Sequence, residues 1–272
     1  MNIHKQTSGD VAPQLKVENL SVGYGNKVVL QDVGMEVAPG EIRVILGASG
    51  CGKSTLLKNI IGLEKPLSGV INLFGQPVDW FDGKPTTTLM RRIGVLFQGG
   101  ALLSSLSVGE NVSLPLRIHN PGLPKDVVQD LVHLKLNQVK LGGAYHKLPN
   151  ELSGGMRKRA GLARAIVTDP ELLFCDEPSA GLDPVTSREL DDLLLELKET
   201  LGITMVVVTH ELDSIRTIND RLTFLSEGRV AFDGTLVEAE STGPQPVRDF
   251  LARKSGPVVR SDRRVSFTLE NQ

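Results

Sequence analysis

The chain has 272 residues, of which 40% are hydrophobic and 23% are charged, and this composition indicates a globular protein with a large core. Its 30 Lys and Arg residues against 32 Asp and Glu residues give a formal net charge of −2, which argues against nucleic-acid binding through a basic surface. The sequence contains no run of about 18 apolar residues, so it predicts no membrane-spanning helix. The polar residues 1–10 lack the apolar core of a signal peptide, and we expect a protein that stays in the cytosol.

Strand and helix patterns alternate along most of the chain. Clustered or alternating apolar residues predict strands at 15–20, 27–37, 41–46, 70–74, 93–97, 171–175 and 203–208. Ser153 is placed to cap a helix that runs to about residue 168, and Pro184 fits the first turn of an amphipathic helix over 184–201. A short helix is expected near residues 247–253. The alternation predicts an α/β fold with a mostly parallel sheet covered by helices.

The pattern changes between about residues 100 and 150. Apolar residues between 127 and 139 lie mostly at helical spacing, which predicts a helical insertion on the α/β body. We expect the prolines of this region to interrupt its regular structure. They are Pro115, Pro121, Pro124 and Pro149.

The segment Gly47–Thr55, GASGCGKST, is the most informative motif. It matches the phosphate-binding pattern G-x-x-x-x-G-K-[ST] and lies between an apolar run and a stretch with helical character. Its glycines let the backbone curl around an anion, and the helix start adds its positive dipole end. Lys53 is predicted to reach the β/γ-phosphates of ATP and Ser54 to bind Mg²⁺. The residues expected to contact the nucleotide here are Gly47, Ala48, Ser49, Gly50, Cys51, Gly52, Lys53, Ser54 and Thr55.

The chain has two cysteines, Cys51 within this motif and Cys175 at the end of a predicted strand. A disulfide framework is not expected in a reducing compartment. We therefore interpret both cysteines as small apolar residues.

Two adjacent carboxylates, Asp176 and Glu177, follow the apolar run at 172–175. An enzyme that hydrolyses a nucleotide needs one acid to hold Mg²⁺ and another to act on the attacking water. Because successive residues of a strand point in opposite directions, the two carboxylates can serve these separate roles. We predict that Asp176 binds the metal and that Glu177 is the general base. Taken alone, the pair could equally be a solvated acidic turn before Pro178.

Further segments resemble the motifs of ATP-binding-cassette (ABC) ATPases. Leu152–Met156 (LSGGM) resembles the family's LSGGQ signature, and Ser179–Asp183 (SAGLD) is similar to its D-loop. Gln98 follows a predicted strand where the family has its Q-loop glutamine, and His210 resembles its switch histidine. Tyr24 stands where the family stacks an aromatic ring on adenine.

The resemblance covers about residues 15–235 and implies a P-loop NTPase of ABC type. Such a protein has a mostly parallel sheet with helices, an antiparallel β subdomain and a helical subdomain. On this basis residues 1–240 form the ATPase domain, with the helical subdomain inserted at about 99–168. Residues 241–272 are then a C-terminal extension.

The resemblance also implies roles for individual residues. Ser153, Gly154 and Gly155 would bind the γ-phosphate of ATP held by another subunit, so a homodimer is implied. Met156 departs from the family's glutamine, but the serine and backbone contacts do not need that side chain. Asp183 would brace the dimer interface. The implied catalytic residues are Glu177, His210, Lys53 and Gln98, and the implied metal ligands are Ser54, Gln98 and Asp176.

Several of these residues also have a plainer structural interpretation. Ser153–Gly155 could be an ordinary capped turn, and Asp183 could cap the helix that follows it. Gln98 could be a polar strand end, and His210 could be a helix-cap or core histidine. Tyr24 could pack at a sheet edge.

The resemblance further implies transmembrane permease partners, which would hold the chain on the cytoplasmic face of the inner membrane. The apolar residues 99–108 suit a grip on a permease helix or, equally, burial within the helical insertion. Residues 97–102, 110–112 and 115–116, together with residues 152–166 and 181–184, resemble ATPases of MCE-associated (Mla-type) systems that move phospholipid or other lipid in Gram-negative envelopes. Met156 is the most telling detail of this likeness. An MCE-domain partner follows from that likeness. The alternative is the ATPase of a small-molecule importer for an amino acid or a metal chelate.

Two remaining expectations concern other partners. Residues 99–151 are too few for the long coiled-coil insertion of ABC proteins that act on DNA or ribosomes, so no nucleic-acid partner is expected. The C-terminal tail carries several basic residues that could clasp a partner ATPase, touch anionic lipid headgroups or remain solvated. These residues are Arg253, Lys254, Arg260, Arg263 and Arg264.

Overall fold

Two β-sheets form the scaffold of the protein, whose computed structural model describes residues 12–25, 27–81 and 87–252. The strands are β1 (Leu15–Tyr24), β2 (Lys27–Val37), β3 (Ile42–Gly47), β4 (Ser68–Leu73), β5 (Gln76–Pro77), β6 (Ile93–Leu96), β7 (Leu172–Asp176), β8 (Thr204–Val208), β9 (Arg221–Ser226) and β10 (Arg229–Gly234). The helices are α1 (Lys53–Ile60), α2 (Thr87–Arg91), α3 (Val108–His119), α4 (Lys125–Gln138), α5 (Gly154–Ala165), α6 (Pro184–Leu201), α7 (Leu212–Ile218), α8 (Leu236–Ser241) and α9 (Gln245–Leu251).

The two sheets differ in direction. The smaller sheet has the order β2-β1-β4-β5 and is antiparallel. The larger sheet has the order β10-β9-β3-β8-β7-β6, and its neighbours are parallel except at the β9–β10 edge. With helices packed on the parallel sheet, this architecture confirms the predicted fold class. The strands β9 and β10 were not predicted from the sequence.

The central strands of the larger sheet are buried on both faces. In β7, Leu173 and Cys175 belong to one core cluster, whereas Leu172 and Phe174 belong to the other. The first cluster, which we call the main core, lies under the helices of the parallel sheet. The second lies between the two sheets around α1. Because both faces are covered, these strands are continuous apolar runs, which is why their positions could be predicted from the sequence.

The helical insertion is built mainly from α3, α4 and α5. Ser107 caps α3 by accepting from the Glu110 amide at 3.2 Å, and the Glu110 carboxylate accepts from the Ser107 amide at 2.7 Å. Pro115 lies inside α3, so the prediction that this proline interrupts regular structure was wrong. Val112 and Leu116 on either side of it are buried in the main core, and this packing offsets the backbone hydrogen bond that proline cannot donate.

The last described helices return to the main core. Val247 and Leu251 of α9 are buried there, and the Phe250 ring meets the Phe224 ring edge-on at 5.3 Å between centroids. Helix α9 ends at Leu251, and Arg253 and the other basic tail residues lie outside the described residues.

Strand register brings the segments of interest to one edge of the parallel sheet. Ile45 of β3 and Asp176 of β7 both pair with Val208 of β8, so the three strands end at the same level. The loops that leave these ends are therefore neighbours in space. Ligands of open α/β sheets bind at this carboxyl edge.

Candidate nucleotide site

The loop between β3 and α1 has a backbone that requires glycine. Gly47 has φ +151, and a Cβ there would come within 2.3 Å of the Leu225 carbonyl oxygen. Gly52 precedes α1 with φ +105, and a Cβ there would meet the side chains of Val29 and Leu30 at 2.9 Å. The loop thus curls tightly at both ends, as an anion-binding loop must.

Lys53 holds this loop from inside. Its ammonium donates to the carbonyls of Gly47 at 2.9 Å and Ala48 at 3.2 Å, and its side chain is buried. Cys51 turns the other way, and its sulfur packs against the core cluster between the sheets. The Cys51 amide donates to the Ala48 carbonyl at 3.2 Å. The ammonium is therefore placed at the mouth of the loop, while the thiol is part of the packing.

A cavity of about 720 Å³ opens over this loop, a volume in the usual range of small-molecule sites. It brings together most of the residues expected to contact nucleotide. Those that line it are Tyr24, Gly47, Ala48, Ser49, Gly50, Gly52, Lys53, Ser54, Thr55, Gln98, Glu177 and His210. Four further lining residues were not predicted, namely Lys27, Val29, Leu212 and Phe250. No motif marks these four, which lie on β2, α7 and α9.

Ser54 and Asp176 meet beside the cavity. The Ser54 hydroxyl lies 3.4 Å from Asp176 Oδ1. Burial, and then the charge of Glu177, raises the pKa of Asp176, and the Ser54 hydrogen bond opposes this shift. Within the described residues no group of three or more His, Cys, Asp and Glu side chains forms a metal site. A hydroxyl with one carboxylate fits Mg²⁺, which keeps several waters and takes its other ligands from phosphates.

Glu177 and His210 form a pair at the same edge. The Nδ1 atom of His210 donates to Glu177 Oε1 at 2.8 Å. Glu177 is buried and Oε2 has no hydrogen-bond partner among the described residues, whereas the His210 side chain is 54% exposed. Glu177 also has a φ of +47, a left-handed conformation that is uncommon for a residue with a side chain. The surrounding structure must hold it there.

Tyr24 stands at the rim of the cavity. Its hydroxyl lies 3.1 Å from the Thr55 hydroxyl, and the residue is 51% exposed. An exposed ring held by one polar contact leaves a face open for stacking.

The remaining motif residues lie outside the cavity. Ser153 caps α5 by accepting from the Met156 amide at 3.2 Å. Asp183 caps α6 by accepting from two backbone amides at 3.1 Å, and its hydrogen bond with the Thr186 hydroxyl lowers the pKa of its carboxyl. A Cβ on Gly155 would meet the Thr186 side chain at 2.5 Å, so the two helix starts pack directly together. Ser153, Gly154 and Asp183 thus form one surface, with Gly155 buried directly beneath it, and we call these four residues the signature surface.

The apolar segment 99–108 is partly exposed. Leu103 is 50% exposed, while Leu102 packs against the main core. The buried Asn111 side chain accepts from the Leu103 amide at 2.7 Å and donates to the Leu103 carbonyl at 3.0 Å. The segment is therefore an anchored loop that presents one leucine to its surroundings.

The strand–loop–helix at Gly47–Thr55 and the two carboxylates at the end of β7 define a P-loop nucleotide-hydrolysing protein. The sequence model described as ABC transporter matches residues 30–180, and the chain belongs to this family. It is an ABC ATPase, which binds ATP and couples ATP hydrolysis to transport. Among the described residues no helix is both long and apolar enough to cross a bilayer.

Three curated relatives are similar over long stretches. The intermembrane phospholipid transport system ATP-binding protein MlaF of Escherichia coli K12 is 38% identical over 91% of this chain and 92% of its own length. The probable ribonucleotide transport ATP-binding protein mkl of Mycobacterium leprae is 38% identical over 95% of this chain and 74% of its own. The methionine import ATP-binding protein MetN 2 of Paraburkholderia xenovorans is 42% identical over 75% of this chain and 53% of its own.

Two solved structures share the fold. The cbiO1 protein of Clostridium perfringens, part of the ABC transporter complex cbiONQ, is 36% identical with a TM-score of 0.75 over 82% of this chain and 88% of its own. The ATP-binding cassette MJ0796, a dimer in a post-hydrolysis state with ADP and Pi, is 30% identical with a TM-score of 0.72 over 82% of this chain and 98% of its own.

Proposed function

We propose that this ATPase powers the movement of phospholipid or other lipid in a Gram-negative envelope, as part of an MCE-associated, Mla-type system. The observation that carries this proposal is the end-to-end match with MlaF, which covers 91% of this chain and 92% of that protein. Met156 after the Ser-Gly-Gly turn supports the same assignment. An MCE-domain protein is then a partner in the system.

A small-molecule importer ATPase is the second candidate. It is favoured by the 42% identity to a methionine import protein, although the match spans only 53% of that relative. An amino acid or a metal chelate would then be the cargo.

We further propose that two copies assemble head to tail and dock on transmembrane permease subunits at the cytoplasmic face of the inner membrane. The signature surface has an exposed serine at a helix N-terminus but lies outside the cavity of its own chain. Such a terminus attracts phosphate. A second copy would place it over the ATP held by the first, and the half-exposed Leu103 gives the permease an apolar contact.

The cavity residues have separate roles in this proposal. The loop amides and Lys53 bind the phosphates of ATP, and Tyr24 stacks on its base. Ser54, Asp176 and Gln98 hold Mg²⁺, which when bound neutralises charge on the phosphates. The 3.4 Å approach of the Ser54 hydroxyl to Asp176 supports a shared ligand at that place.

Glu177 acts as the general base in this proposal. The carboxylate takes a proton from the attacking water, and the 2.8 Å hydrogen bond from His210 holds it in one orientation. His210 is exposed enough to reach the γ-phosphate as well as Glu177. Because positioning and charge supply most of the acceleration in phosphoryl transfer, this pair is expected to govern the rate rather than the affinity for ATP.

A reconstituted system tests both parts of the proposal. The chain is purified from membranes with its permease and MCE partners, its bound lipid is analysed, and ATP-dependent transfer of a fluorescent phospholipid between vesicles is followed. We expect co-purified phospholipid and transfer by the wild type. Glu177→Gln should lower both ATP turnover and transfer at least about 100-fold while retaining ATP binding.

Other outcomes would contradict separate parts of the proposal. Activity that responds to an amino acid or a metal chelate with a solute-binding protein, and not to lipid, would support the importer. Turnover at the wild-type rate by Glu177→Gln would contradict the role of Glu177, whatever the cargo.

A further inference from the structure

Lys158 is a buried lysine that no motif explains. It lies in α5, the helix that begins at the signature surface, and is 6% exposed. Its ammonium donates to the backbone carbonyls of Gln98 and, at 2.9 Å, of Glu177. Within the described residues it forms no salt bridge with a carboxylate. The two carbonyls follow different strands, β6 and β7, so one ammonium joins two loops of the ATP cavity to the helical subdomain.

Burying this ammonium costs free energy, because its charge is removed from water. An apolar side chain of similar length would fill the same space without desolvating a charge. Burial lowers the pKa of Lys158, although the charges of Glu177 and Asp176 oppose this shift. Among the described residues, α5 bonds to both loops through this ammonium.

The backbone conformation of Glu177 gives a physical reason for the buried hydrogen bonds of Lys158. Its left-handed backbone, with φ +47, must be held by its surroundings. Its amide donates to the Val208 carbonyl at 2.8 Å, and its carbonyl accepts from Lys158 at 2.9 Å. The peptide units on both sides of the Glu177 side chain are therefore held. One is held by β8, and the other by Lys158 of α5 together with the Ala180 amide, which donates to the same carbonyl at 3.2 Å.

We propose that Lys158 is a positioning residue for ATP hydrolysis, because its ammonium fixes the Gln98 and Glu177 loops relative to each other and to the helix that carries the signature surface. The inference rests on the proposed role of Glu177. Lys158 does not line the cavity over residues 47–55. It acts by keeping the carboxylate of Glu177 aligned, and it ties that alignment to the position of α5.

Lys158→Met is the direct test, and Lys135 offers a matched control. Like Lys158, Lys135 is a buried lysine of the helical subdomain that does not line the cavity. Its ammonium pairs with Asp169 at 2.5 Å instead of bonding to the Gln98 and Glu177 loops. We expect Lys158→Met to lower kcat about 10- to 100-fold with less than about a threefold change in KM for ATP. Lys135→Met should lower the thermal midpoint and change kcat less than about twofold.

Two further variants separate positioning from folding. Lys158→Gln keeps a polar side chain with two N–H donors, so it should recover part of the lost kcat. In single-turnover assays, adding Lys158→Met to Glu177→Gln should cause little further loss, because residues that act as a unit are not additive.

The proposal is overturned if Lys158→Met has the kcat of Lys135→Met, if its defect is confined to KM, or if its effect multiplies with that of Glu177→Gln. Should Lys158→Met not fold, Lys158→Ala, which also removes both hydrogen bonds, takes its place, and a kcat equal to that of Lys135→Ala would refute positioning. Wild-type turnover by Glu177→Gln alone would instead refute the proposed catalytic role.

Discussion

The cavity over residues 47–55, which is proposed to hold ATP, and the signature surface are both built at helix N-termini. They differ in how far the surrounding residues enclose them. The cavity gathers residues from strand ends, from the loop before α1 and from α9, and it encloses about 720 Å³. The signature surface consists of two packed helix starts, and Ser153 and Asp183 in it are exposed. A helix terminus attracts an anion, but only surrounding walls make it a pocket.

This difference explains why one chain is proposed to need a second copy. The cavity has lysine, hydroxyl, carboxylate and histidine groups on one side of the site, but no residue of its own signature surface lines it. A partner that covers the cavity would supply the missing wall. Variants of each region can test whether the cavity binds ATP and the partner's signature surface completes the site.

The largest effect is expected at the signature surface. Ser153→Glu should lower ATP hydrolysis at least about 100-fold, because a carboxylate there repels the phosphate that the partner presents. Binding of a fluorescent ATP analogue to the isolated chain should change less than about threefold, since Ser153 does not line the cavity. ATPase assays, equilibrium binding and sedimentation of the ATP-bound dimer measure these effects.

Ser107→Glu is the matched control for that variant. Ser107 caps α3 in the same helical subdomain and with the same side-chain geometry. Its loss should cost about 1 kcal/mol of stability without lowering hydrolysis more than about twofold. Equal losses of hydrolysis in the two variants would mean that Ser153 is only a helix cap.

A smaller effect is expected in the hydrogen-bond network around Asp191. This network supports the loop that begins at Ser179 and connects the cavity with the signature surface. The Ser214 hydroxyl donates to the buried Asp191 carboxylate at 2.7 Å and lies 3.2 Å from the hydroxyl of Ser179, where that loop begins. Burial raises the pKa of Asp191 to about 6, above its ordinary value of 3.8. As pH rises between these values, the unfolded chain loses its proton first, so the free energy of unfolding falls.

Asp191→Asn removes this ionisation. Relative to the wild type, the variant should gain on the order of 2 kcal/mol in the free energy of unfolding between pH 4 and pH 7. Urea unfolding of both proteins across this range measures the difference. A stability difference that stays constant with pH would show that Asp191 does not titrate in this window.

The smallest effect is expected at the cavity rim. Tyr24→Ala should weaken ATP binding about tenfold, because stacking of a base on an aromatic ring contributes about 1–3 kcal/mol. Tyr24→Phe keeps the ring and should bind nearly as well, despite losing the 3.1 Å contact with Thr55. Equilibrium titration with ATP compares them. If both variants bind like the wild type, Tyr24 is a sheet-edge residue only.

The part of the cavity that could be predicted from the sequence is the part built from local motifs. Residues 47–55 and the two acids at the end of β7 were found because backbone curvature and a strand end leave direct traces in the sequence. Four other lining residues could not be found in this way, since none belongs to a motif and Phe250 reaches the cavity only through the packing of α9. They are Lys27, Val29, Leu212 and Phe250. Pro115 was misread because its helix is held by burial rather than by propensity.

The sequence by itself determined the strand–loop–helix at residues 47–55, the alternating fold class and the membership of the chain in its family, because these depend on neighbours along the chain. The tertiary structure added the 2.8 Å hydrogen bond between His210 and Glu177, whose shared catalytic role the family resemblance implied. Only the tertiary structure decided that α9 reaches the cavity and that Lys158 joins two loops. Contacts of this kind depend on strand register and on burial of both faces of the sheet, and no spacing in the sequence encodes them.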